Sequence, residues 1–168
     1  MKTGNSFPIP PYPVRLKLIH FPTLAVFIFL SQLLYAQTTS ISGIVNTYHR
    51  AIEIIPAKAC VRVNSTTGLV NNDKVMLIQM KGASINTSNS ASFGDTTNLN
   101  EAGNYEINTV CNIVGDSVFL VYMIKNQYDV AGKVQLVKIP QYYSANIIDT
   151  LKPAPWNNTT GTGGVVAI

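Results

Sequence analysis

A chain of 168 residues, 46% hydrophobic and 12% charged, has the composition of a folded domain and not of a disordered or charge-rich segment. Its formal net charge of +4 owes much to Lys2, Arg15 and Lys17; without those three of the twelve basic residues, nine face eight acidic ones and the net is +1. No basic stripe remains, which excludes nucleic acid and anionic membrane surfaces as electrostatic partners.

The chain opens with that basic group and then the apolar run FPTLAVFIFLSQLLYAQ, which ends near the small residue Ala36. An apolar stretch of roughly 14 residues falls short of the roughly 20 that span a bilayer. Residues 1–36 therefore read as a Sec signal peptide cut after Ala36, leaving a secreted or cell-surface chain without a membrane span.

From Gln37 onward apolar residues recur with a period of two, and no window carries a helical repeat. Strands are predicted over 41–48, 58–64, 74–80, 104–114, 117–124, 133–140 and 144–150, with another opening at Gly163. Asn71-Asn72-Asp73 predicts a tight turn, and Gly115-Asp116 predicts a two-residue type II′ hairpin. The expected fold is all-β. A small, partly open antiparallel β-barrel would occupy 58–150, after a strand and linker at 37–57. Residues 151–168 would begin a repetitive, β-helix-like region, and their uncharged GGVVAI would be a bare strand within a longer protein. Between two of the strands, residues 82–102 form a long Asn/Ser/Thr-rich excursion, either a ligand-binding loop or a solvated insertion.

Few residues point to chemistry. The eight acids are scattered singly, and the nearest grouping, Asp95, Glu101 and Glu106, does not form a paired-carboxylate motif. His49 is the one histidine after the leader, and no nucleophile accompanies it, so no catalytic residue is assigned. Asp95, Asn98, Asn100 and Glu101 offer the hard oxygen donors that Ca²⁺ prefers, or else they cap the turns of their own loop. No other cofactor is expected. Cys60 and Cys111 would meet an oxidising compartment, either bridged or as two separate buried thiols. Tyr142, Tyr143 and Trp156 could stack on an extracellular glycan, or cover the end of the barrel.

The segments LVNNDKVMLIQMKGASINTSNSASFGDTTNLNEAGNYE, YDVAGKVQLVKIPQY and TLKPAPWNNTTGTGGVVAI together resemble the N-terminal region of very large surface proteins of gliding bacteria. That group carries a gliding-motility-associated C-terminal sorting domain for type IX secretion. The resemblance implies export through Sec and the type IX machinery, and a role in adhesion, gliding or the cell envelope. It also implies O-glycosylation at Asp-Ser/Thr-apolar triplets, which places Ser117 and Thr150 as acceptors, with Thr96 fitting a looser form of the triplet. The rival expectation is an ancillary, carbohydrate-binding module of a secreted polysaccharide-degrading β-helix enzyme.

Overall fold

The computed structural model describes residues 38–168; the predicted signal peptide and its cleavage point lie outside the described residues. The strands in chain order are β1 (Thr39–Gly43), β2 (Thr47–Ile55), β3 (Cys60–Val63), β4 (Lys74–Gln79), β5 (Ser84–Ile85), β6 (Thr96–Asn98), β7 (Tyr105–Val114), β8 (Ser117–Leu120), β9 (Val134–Ile139) and β10 (Ala145–Leu151). Among the described residues only short 3-10 turns, Pro56–Lys58 and Val130–Gly132, interrupt this all-β pattern.

Six strands pair in the cyclic order β2-β3-β8-β7-β4-β9, each with antiparallel neighbours, and β9 returns to β2. Two long strands make the closure. Within β2, Thr47–Arg50 pair with β9, and Ala51–Ile55 pair with β3. Within β7, Tyr105–Thr109 pair with β4, and Val110–Val114 pair with β8. At each changeover the register slips, between Ala51 and Glu53 and between Val110 and Asn112. Such bulges sharpen the local twist and let one strand serve two sheets. The expected small antiparallel barrel is thus two sheets sharing two bent strands.

The alternation read from the sequence fills the interior. Val61, Val63, Val75, Leu77, Val110, Val118, Val134 and Leu136 are fully or almost fully buried in one cluster, each contributing about 1.5–3 kcal/mol of transfer free energy. The predicted hairpin is present, with Val114 opposite Ser117 across Gly115-Asp116. Gly115 has φ of 61°, as the first position of that turn requires.

Three expectations need correction. The barrel strands run from Thr47 to Ile139 and not over 58–150, because β2 is one of its staves, not part of a linker, and β10 lies outside the ring. Cys60 and Cys111 are both free, the first buried and the second exposed. They lie on β3 and β7, with β8 between them. Two strand spacings make roughly 9–10 Å, beyond what a disulfide spans. Finally, residues 163–168 form no strand among the described residues. Gly163 and Gly164 take φ of 96° and 74°, incompatible with extended pairing. The segment lies as a strap on the outer barrel face, with Val165 and Ala167 packed near Tyr48, Met76, Ile78, Val137 and Ile139.

Two pairs stand apart from the ring. β5 and β6 make a short antiparallel ladder within the 82–102 excursion. β1 and β10 pair in parallel, and six of the seven residues of β10 are exposed, including Ile147 and Ile148.

Candidate functional site

The polar residues buried in this barrel mostly hold irregular segments in place. Gln79 follows Val75 and Leu77 on the inward face of β4 and has no exposed surface. Its Nε2 donates to the carbonyls of Lys81 and Asn100, and its Oε1 accepts from the amide of Asp129. Gln135, equally buried on β9, exchanges both hydrogen bonds with the backbone of Gly163. Asn46 donates to the carbonyls of Lys138 and Ala167 and accepts from the amide of Ala167. Tyr48 adds a bond from its hydroxyl to the carbonyl of Val165 at 2.6 Å. The strap is therefore fixed by side chains and not by a ladder.

The same device builds a loop along β7. Asn108 clasps Tyr122, donating to its carbonyl and accepting from its amide. Glu106 Oε2 accepts from the amide of Lys125, and the carbonyl of Tyr105 accepts from Asn126 Nδ2. Asn104 Nδ2 then donates to the carbonyl of Gln127. As β7 is followed from residue 108 back to 104, the loop advances from 122 to 127. Ile124 and Tyr128 of this loop pack into the barrel core.

Between this loop and the end of β2 lies a cleft of about 450 Å³, lined by Ile54, Pro56, Ile124, Lys125, Asn126, Gln127 and Tyr128. One wall is apolar, and the rim carries an ammonium and two carboxamides. Beside it, Tyr128 Oη and Glu106 Oε1 are buried without a hydrogen-bond partner among the described residues. Burial pushes the Tyr128 hydroxyl above its usual pKa against the opposing pull of the Asn126 side chain, and Glu106 raises it further, so it stays protonated.

His49, on β2, is also buried. Its Nδ1 lies 2.7 Å from the carbonyl of Ser65, so Nδ1 carries the proton and Nε2 the lone pair. Nε2 has no partner among the described residues. Burial lowers the His49 pKa against the opposing pull of the Ser65 carbonyl, and the Lys138 charge lowers it further. With no nucleophile bonded to it, this ring is a core residue.

The residues singled out in the sequence are not brought together. Asn98 Oδ1 accepts from the amide of Asn100, and Asn100 Nδ2 donates to the carbonyl of Gly82 and to Ser84 Oγ. These carboxamides cap their own loop, while Asp95 is exposed on it and Glu101 sits at a turn with φ of 64°. Among the described residues no three His, Cys, Asp or Glu side chains gather as a metal site. Tyr143 is 92% exposed just before β10, whereas Trp156 is half-buried with Lys81 Nζ 5.7 Å from its ring centre. Tyr142 is half-buried beside Tyr143. Thr96 and Thr150 are exposed on β6 and β10. Ser117 is half-buried on β8, its Oγ donating to Asp116 Oδ1. The cleft residues escaped the sequence reading, which carried the strand of β8 through to residue 124. A polar Lys-Asn-Gln run directly after an apolar one was the available signal for a loop.

No protein-family model matches the chain, and no curated protein matches it. Among solved structures it is similar to the Gp54 tailspike of Acinetobacter baumannii bacteriophage AP22, a structure in complex with A. baumannii capsular saccharide. Identity is 11% and the TM-score 0.42, and the match covers 67% of this chain and 17% of the tailspike chain. Among the described residues no helix is long and apolar enough to cross a membrane.

Proposed function

We propose that this chain is a non-catalytic β-module of a large exported cell-surface protein, serving adhesion, gliding or the cell envelope. The observation that carries this reading is the β1–β10 pair. Parallel strands occur almost only where both faces of the sheet are covered. Here β10, outside the barrel, leaves Ile147 and Ile148 57% and 63% exposed. A parallel pair bare on this scale suits a module that sits against further β-structure of the same protein. The burial of polar groups supports the non-catalytic part of the reading, since Asn46, Gln79, Asn108 and Gln135 are spent on holding backbone.

Export to the surface has a direct test. Antibodies raised against residues 38–168 should label intact cells of the source organism, and brief protease treatment of those cells should remove the label. Labelling only after lysis would contradict the proposal.

A further inference from the structure

We propose that the cleft between the end of β2 and the 124–128 loop binds a saccharide unit. The inference rests on the cleft alone and holds whether the parent protein is an adhesin or an enzyme. At about 450 Å³ the cleft falls within the range of about 300–1,000 Å³ typical of small-molecule sites. Its wall of Ile54, Pro56, Ile124 and the Tyr128 ring offers apolar surface to the C–H face of a sugar ring. Its rim offers both kinds of polar group. Lys125 Nζ and the Gln127 amide nitrogen donate, while the Gln127 and Asn126 amide oxygens accept.

None of these four rim groups has a hydrogen-bond partner among the described residues. Lys125 and Gln127 enter bonds only through their backbone, and Asn126 only through Nδ2. A hydroxyl donates and accepts at once, so a ring bearing several hydroxyls answers this mixed rim. A hydrocarbon would leave it unanswered, and a simple anion would engage Lys125 and little else. The cleft is also preformed. The buried side chains of Asn108 and Gln79 hold the loop at Tyr122 and Asp129, and Ile124 packs into the core between them, so binding would not require the loop to be ordered first.

The test is a titration of the purified protein with glucose, galactose, N-acetylglucosamine and galacturonic acid, with inorganic phosphate as control, followed by amide chemical shifts in NMR spectra. At least one sugar should shift the amides of residues 124–128 and leave those of 156–158 unmoved. The rim variant Lys125→Ala/Gln127→Ala, in which both changed side chains belong to exposed residues, should weaken that binding about tenfold or more. Its spectrum should otherwise match that of the parent. The single variants are measured alongside, so that the affinity loss is read on a protein whose barrel signals are unchanged. The proposal is overturned if no sugar shifts the loop, if the shifts centre on Trp156, if the rim variants keep full affinity, or if phosphate produces the same shifts as tightly.

Discussion

The loop at 121–129 and the excursion at 82–102 are both irregular and polar at their tips, yet they are held in opposite ways. The first is tied at residue after residue to β7 and to Gln79 inside the barrel. The second closes on itself. Asn86 and Asp95 pair through their backbones, Ser88 and Ser90 share hydroxyl bonds, and Asn98 caps Asn100. It meets Gln79 through the Asn100 carbonyl, next to where the Gly103 amide, just past its end, donates to the Gln79 carbonyl. The buried carboxamides of Asn108 and Gln79 anchor the first loop at Tyr122 and Asp129, because their loss strands backbone groups away from water. An exposed bond, whether from Glu106 and Asn126 or within the excursion, is readily replaced by solvent.

Breaking the anchors should therefore cost far more than altering the excursion. Gln79→Leu keeps the volume but strands the carbonyls of Lys81 and Asn100 and the amide of Asp129. At about 1–3 kcal/mol for each stranded group, partly relieved by relaxation, the expected loss is about 4 kcal/mol in urea unfolding. Gln135→Leu strands only the two backbone groups of Gly163 and should cost about 3 kcal/mol. Gly132→Ala tests the same anchor sterically, since a Cβ there would overlap Gln79 Nε2 and the Lys81 carbonyl. A loss of about 2 kcal/mol is expected.

A smaller effect should come from His49. Its pKa in the folded protein is lowered below the unfolded value of about 6.5, so the unfolded chain binds the proton more readily. The stability it contributes is present above that value and declines as pH falls through and below it. Urea midpoints measured from pH 8 to pH 5 should fall toward acid, and His49→Gln should flatten that decline. Smallest of all, Phe93→Ser at the 67% exposed tip of the excursion should change stability by no more than about 0.5 kcal/mol.

Much of the barrel was legible in the sequence because the period-two pattern survives wherever one face of a strand is buried, as at Val61 and Val63 or Val75 and Leu77. It failed at β2, where the bulge between Ala51 and Glu53 shifts the register and leaves Ile52 40% exposed. The strap misled for another reason. GGVVAI is strand-like by composition, but its two glycines turn the chain, and its partner is a barrel face that looks like ordinary strand exterior until Gln135, Val137 and Ile139 prove buried. Of the anchors, Gln79 showed a signal, a polar residue in phase with Val75 and Leu77. The polar run Lys125-Asn126-Gln127 signalled a loop but not a cleft, because the cleft depends on Asn104, Glu106 and Asn108 reaching that loop some twenty residues on, a pairing that no local pattern encodes.

Amide hydrogen exchange on the unmodified protein tests most directly whether buried side chains hold the cleft loop and the strap as firmly as the barrel. The amides of Tyr122, Asp129, Gly163 and Ala167, each bonded to a buried side chain, should be protected nearly as well as those of the β4–β9 ladder. The amides of Ser88, Ser90 and Ser92 in the excursion should exchange orders of magnitude faster. Equal, fast exchange in both sets would contradict the account.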